Sequence, residues 1–152
     1  MKRILFVCTG NSCRSVMAEG LFRKIMEGRA NKISCSSAGI SAMDGFPSTE
    51  ETIRAMKEEG VDVSGHQSRR LTQKMIQNSD KIFVMEKIHK DWVLSMDPQA
   101  KDKVHLLAEY ASTGDSRMPA TGIPDPIRMS DQFYRNVLNV IYDCVKNVAE
   151  DL

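Results

Sequence analysis

The chain has 152 residues, enough for one sizeable core and too few for two full domains. With 21 Lys and Arg against 20 Asp and Glu its net charge is +1, which offers no overall field to nucleic acid or an anionic membrane, so anion recognition must be local. A content of 41% hydrophobic and 27% charged residues excludes a disordered chain, and the longest apolar run, Ile4 to Cys8, is too short to span a bilayer or to form a signal peptide's apolar region, so the expected location is cytoplasmic.

Ile4 to Val7 is a continuous run of β-prone residues, the pattern of a strand covered on both faces in a parallel sheet. Thr9 to Ser12 are small or polar, and from Arg14 the apolar positions Met17, Leu21 and Ile25 recur every four, which is a helix face. A weaker strand reads at Lys32 to Ser36, followed by a loop from Gly39 to Pro47. Ser48 with Glu51 three residues on then predicts a capped helix to Glu59, stopped by Gly60. Lys81 to Met85 reads as a second strong strand, followed by a helical stretch bearing Ile88 and Trp92, and Lys103 to Leu107 reads as a fourth strand.

From Ala111 to Met129 there is no periodicity, and the segment carries Gly114, Pro119, Gly122, Pro124 and Pro126; a long structureless segment in a compact domain is often functional. The chain closes on a helix whose apolar face is Phe133, Val137, Val140, Ile141, Cys144 and Val148. Strands alternating with helices predict an α/β fold, a single three-layer domain over residues 1–152 with a central parallel sheet of about four strands and its site at the carboxyl end of the first.

Cys8, Cys13, Cys35 and Cys144 include no Cys-x-x-Cys pair, and the only histidines are His66, His89 and His105. Structural zinc takes ligands paired at close spacing, so the expectation is no metal, no cofactor and reduced thiols. Cys35, on a strand, and Cys144, on the last helix's apolar face, read as structural.

The segment Cys8-Thr9-Gly10-Asn11-Ser12-Cys13-Arg14-Ser15 runs from the end of the first strand to the start of the first helix. Backbone N–H groups of a loop wrapped onto a helix N-terminus converge on one point and bind phosphate or a similar oxyanion, which makes Thr9 to Ser15 a candidate phosphate-binding loop. Gly10 can take a positive φ without cost and Asn11 tolerates a left-handed turn, so the loop can curl tightly. Arg14 can close it as a planar fork on two phosphate oxygens. The same donors and helix dipole favour a thiolate at Cys8, a nucleophile at neutral pH, toward which Ser15 can donate a hydrogen bond. An isolated Cys8 would read as a small core hydrophobe, but that reading leaves Gly-Asn and Arg-Ser beside it unexplained.

These residues resemble the low-molecular-weight protein tyrosine phosphatases over nearly the whole chain. The resemblance runs through Cys8 to Ser15, Met17-Ala18-Glu19, Ser37-Ala38-Gly39, His66 with Arg69 and Leu71, the strand at Asp80 to Met85, and Asp125-Pro126. It implies that Cys8 attacks phosphorus, Arg14 binds the phosphoryl oxygens, Asp125 protonates the leaving group, and Asn11, Ser15 and His66 hold the loop in shape. Asp125 suits that part, since a phenol of pKa about 10 leaves phosphorus more readily when given a proton. By itself Asp-Pro is a common turn dipeptide. The family also suggests reversible oxidation of Cys8 and Cys13 to a disulfide; a packed Cys13 thiol is the alternative, and both stay open.

Tyrosine-specific members carry a bulky aliphatic residue where this chain has Ser12, and aromatics after Asp-Pro where it has Ile127 and Arg128. Phe46 is the candidate for a replacement apolar wall. Phosphoarginine phosphatases on the same fold resemble the stretch from Lys103-Val104 to Glu109-Tyr110 and use a small Thr at the position of Ser12. Arg128 on the rim would repel a guanidinium leaving group and attract acidic residues beside a phosphotyrosine, which tips the reading to phosphotyrosine with phosphoarginine as the alternative. A thioredoxin-coupled arsenate reductase would need two further cysteines near residues 80 to 90, which are absent. Intact Cys8, Arg14 and Asp125 count against a dead phosphoprotein-binding module and leave a phosphocysteine carrier as the minority alternative. The expected partner is a phosphorylated protein or peptide, with no nucleic acid, no membrane and a monomeric state.

Overall fold

The structure is a computed structural model that describes residues 2–29, 32–112 and 122–152; Gly114 and Pro119 lie outside the described residues. Four strands, β1 (Lys2–Cys8), β2 (Ile33–Gly39), β3 (Lys81–Val84) and β4 (Val104–Leu106), form one sheet in the order β2-β1-β3-β4. Every pairing is parallel, and the register sets Cys8 beside Gly39 and Val7 beside Val84. The expected α/β architecture with a central parallel sheet is the one observed.

Because β1 is central, alternate residues feed two cores. Ile4, Phe6 and Cys8 face the core built with α1 (Arg14–Met26) and α5 (Asp131–Asp151). Leu5 and Val7 face the opposite core, built with Leu71, Ile76 of α3 (Gln73–Gln77) and Val93 of α4 (Lys87–Met96). A strand sandwiched in this way must be apolar at every position, hence the unbroken run in the sequence. Phe6 lies edge-on to Phe22 of α1, with ring centroids 5.8 Å apart, and is stacked against Phe83 of β3 at 5.9 Å. Removing such a ring costs about 3 to 5 kcal/mol.

The structure corrects several boundaries. β2 continues through Ser37, Ala38 and Gly39, because backbone pairing with β1 carries small residues that have no apolar pattern of their own. Helix α2 (Glu50–Glu58) starts one residue later than expected: Thr49, not Ser48, is the cap, its side chain accepting the N–H of Thr52. Among the described residues the buried Ser48 hydroxyl has no hydrogen-bond partner. Ile88 and Trp92 point outward from α4, whose buried residues are His89 and Val93. On α5, Phe133 is half-buried and Tyr134 replaces it in the core. Helix α3 was not read from the sequence; it is short and buries only Ile76. Among the described residues no helix is long and apolar enough to cross a membrane.

The segment 122–129 is tied to the sheet at its first residues. Ile123 donates its N–H to the Met85 carbonyl at 2.8 Å, and Gly122 bridges to Glu86. A Cβ on Gly122 would lie 2.2 Å from that carbonyl, so only glycine lets the strand end and the loop come this close.

Candidate active site

The loop after β1 curls back over Cys8 with its left-handed turn at Asn11, where φ is 54°. Gly10 is not in the left-handed region, contrary to the expectation that glycine would supply the positive φ. Asn11 can hold this conformation because every polar group of its buried side chain is bonded. Its Nδ2 donates to Ser15 Oγ at 2.8 Å and to Ser37 Oγ at 2.9 Å, while Oδ1 accepts the N–H of Arg69 at 2.9 Å. The Asn11 carbonyl is 2.9 Å from His66 Nε2. The Ser37 hydroxyl in turn donates to Glu19 Oε1 at 2.7 Å.

This chain of bonds orients the groups around the sulfur. Ser15 Oγ accepts from Asn11, so its proton is free for Cys8 Sγ, 2.9 Å away. The Asn11 N–H reaches the same sulfur at 3.3 Å. Two donors converging on one sulfur suit an acceptor with negative charge. Gly39 of β2 seats the loop: it has room for no Cβ, which would stand 2.5 Å from the Thr9 carbonyl and 2.8 Å from the Asn11 nitrogen. Ile40 and Ser41 donate their N–H groups to the carbonyls of Cys8 and Thr9.

Arg14, at the first position of α1, is 2% exposed. Nη1 donates to Glu86 Oε2 at 2.6 Å and to the Ile123 carbonyl at 2.8 Å. Nη2 donates to Thr9 Oγ1 at 3.4 Å and lies 3.8 Å from Asp125 Oδ2. A buried guanidinium needs such a partner, because its desolvation would otherwise cost several kcal/mol. Asp125 is exposed, and its other oxygen accepts the Ile127 N–H at 3.0 Å, an Asx turn closed within the Asp-Pro loop. Arg14 of α1 and Asp125 of the loop before α5 thus meet, and Thr9, which follows Cys8 at the end of β1, touches the same guanidinium.

Glu86 and His89 were not singled out in the sequence, although they follow the strong third strand at its carboxyl end, where such a fold places a site. His89 is fully buried, with Nδ1 accepting the Glu86 N–H at 3.0 Å and Nε2 2.8 Å from Thr9 Oγ1. Burial, and after it the charge of Arg14, depress its pKa to about 4. The ring is neutral at neutral pH, so its 4.0 Å approach to the Glu86 carboxylate is not an ion pair there.

Cys13 is packed against α5 and α2: its thiol lies 3.4 Å from the Tyr134 hydroxyl and 3.5 Å from Thr49 Oγ1. Burial, then the bond with Cys13, pushes the Tyr134 phenol above its ordinary pKa. Both Cys8 and Cys13 are free thiols. Cys35 sits against the Glu19 carbonyl, and burial pushes its thiol up to about 11. Ser12, half-buried, hydrogen-bonds through its carbonyl to Thr49. Phe46 and Ile127 are exposed, and so are Met43 and Met129, which the sequence reading passed over. Arg128 is exposed with a φ of 64°. Among the described residues no cluster of three or more His, Cys, Asp or Glu side chains could hold a metal ion.

The chain is similar to known proteins over nearly its whole length. The family model described as low molecular weight phosphotyrosine protein phosphatase matches residues 3–152. A protein-arginine-phosphatase of Bacillus subtilis (strain 168) is 32% identical over 151 residues, covering 98% of this chain and 95% of the relative. A probable low molecular weight protein-tyrosine-phosphatase, EpsP, of Ralstonia nicotianae is 33% identical over 141 residues, covering 93% of this chain and 89% of the relative. The crystal structure of a low molecular weight protein tyrosine phosphatase from T. tengcongensis superposes with a TM-score of 0.89 at 30% identity, each chain covered in full.

Proposed function

The chain belongs to the low molecular weight phosphotyrosine protein phosphatase family, and from that membership we propose that it hydrolyses phosphotyrosine in proteins through a phosphocysteine on Cys8. The observation that carries the proposal is the Cys8 sulfur receiving the Asn11 N–H and the Ser15 hydroxyl, on a loop whose next residue, Thr9, meets the Arg14 guanidinium that itself lies 3.8 Å from Asp125.

In the first step the Cys8 thiolate displaces the phenol in line, forming the S–P bond as the P–O bond breaks. The bonds to Glu86 and Ile123 occupy Nη1 of Arg14, so we assign its Nε–Nη2 edge to two phosphoryl oxygens. The backbone N–H groups of residues 9 to 15 and the amino end of α1 face the same charge. Asp125, exposed beside Arg14, gives its proton to the departing oxygen. In the second step water attacks phosphorus, Asp125 takes its proton, and Cys8 leaves as a thiolate held by Ser15 and Asn11. Asn11, Ser15 and His66 support the loop, while Phe46, Ile127 and Arg128 are the proposed rim contacts. The proposal takes the 152 residues as one domain, a cytoplasmic monomer acting on phosphorylated protein without nucleic acid, membrane or cofactor.

A second reading, phosphoarginine, is favoured by the small Ser12 and by the arginine phosphatase among the relatives. The test is phosphate release from matched phosphotyrosine and phosphoarginine peptides, with Cys8→Ser as the control. Preference for phosphotyrosine is expected, with no turnover in the control. Preference for phosphoarginine would replace the substrate, and retention of phosphate on Cys8 without release would make the protein a carrier.

A further inference from the structure

Thr9 and His89, far apart in sequence, meet at the edge of the site. The N–H of Glu86 points at Nδ1 of His89, so that nitrogen accepts and the ring carries its proton on Nε2. Nε2–H donates to Thr9 Oγ1 at 2.8 Å, and Arg14 Nη2 donates to the same oxygen at 3.4 Å. A hydroxyl has two acceptor positions and one proton. Both acceptor positions of Thr9 are filled, and among the described residues nothing accepts its proton.

We infer that Thr9 is a further substrate-contacting residue whose hydroxyl, made donor-only by His89 and Arg14, gives its proton to an oxygen of the bound phosphoryl group, and that His89 is a positioning residue acting through it. The inference rests on reading the Cys8–Ser15 loop as a phosphate site. Thr9 is half-buried, follows Cys8 directly and touches the guanidinium assigned to the phosphoryl oxygens, so its free proton lies where negative charge is bound. The arrangement requires a neutral ring. The charged groups that face it are Arg14 from α1 and the Glu86 carboxylate at the amino end of α4, with Asp125 beyond Arg14. Burial and Arg14 prevail, and the ring's pKa of about 4 keeps it neutral in the range where a phosphatase works. Protonation would add a second donor at Nδ1, aimed at the N–H of Glu86, and would break the arrangement.

The bland alternative is that His89 only completes the capping box of α4. Competitive inhibition by orthophosphate at pH 6.5 separates the two, measured on wild type, Thr9→Ser, Thr9→Val, His89→Gln and the Thr9→Val/His89→Gln pair. Thr9→Ser is expected to hold orthophosphate within about twofold of wild type, and Thr9→Val to weaken it by about tenfold, the size of a lost bond to a charged acceptor. His89→Gln is expected to weaken it when Thr9 is present and to add nothing to Thr9→Val. Unchanged inhibition in Thr9→Val, or additive losses in the pair, would overturn the inference while leaving the loop reading intact. A wild-type protein blind to orthophosphate would instead overturn the loop reading and the inference with it. Should His89→Gln not fold, the Thr9 variants still decide, together with the ring ¹⁵N shifts of His89. A neutral ring protonated on Nε2 is expected; a charged ring or the opposite tautomer refutes the positioning role.

Discussion

Single residues set the curvature of the loop, and glycine acts where backbones approach rather than where the turn is made. Gly39 faces the Thr9 carbonyl and the Asn11 nitrogen, so Gly39→Ala must push the loop off Cys8. Displacement of this kind can cost about 10²-fold in rate, which is the expected loss in kcat/KM on an aryl phosphate. Gly10 has ordinary room for a Cβ, its nearest neighbour being Ser12 Oγ at 3.5 Å, so Gly10→Ala should stay within about threefold of wild type. Asp125 gives a second test at this scale. As the general acid it matters most for poor leaving groups, so Asp125→Asn should slow phenyl phosphate by about 10²-fold or more and an activated aryl phosphate far less. Equal slowing of both would remove Asp125 from that role.

Helix α2 shows how an element's start is settled by neighbours. Ser48 and Thr49 are both good caps by type, and Ser48 has Glu51 at capping-box spacing. Thr49 takes the position because its hydroxyl also meets Thr52, Tyr134 and the Cys13 thiol, while Ser48 turns inward with no bonding partner among the described residues. Thr49→Ala should therefore lower unfolding free energy by about 1 to 2 kcal/mol in urea titration. Ser48→Ala should be neutral or slightly stabilising, since it removes a buried hydroxyl that lacks a partner. The reverse ranking would return the cap to Ser48.

The site exists only in the assembled molecule, and acid exposes one cost of assembling it. His89 titrates near 4 in the folded protein against about 6.5 in the unfolded chain. Between these values the unfolded chain binds a proton that the folded ring refuses, so stability falls as pH drops from about 6.5 toward 4 and this contribution levels off below. The ceiling is on the order of 3 kcal/mol. Urea titrations from pH 7 to pH 4.5 should show a shallower decline in His89→Gln than in wild type. Parallel declines would mean that the native ring takes up its proton as readily as the unfolded chain does.

Local pattern was enough for β1, α1 and α5 because each buries a long apolar set against the core, and enough for the loop because Gly-Asn, Arg-Ser and Cys8 fall between a buried strand and a helix. The same chain by itself determined the α/β class, the family and the candidate residues Cys8, Arg14 and Asp125. What tertiary structure decided depends on groups distant along the chain: the full length of β2, the cap at Thr49, and the outward turn of Ile88 and Trp92. It also decided which side chains hold Arg14 and Thr9, since Glu86, His89 and the Ile123 carbonyl reach them only when parallel strands β1 and β3 end side by side. A hydrogen bond needs its partners within about 3 Å of each other, and only the fold brings residues eighty or a hundred places apart to that distance.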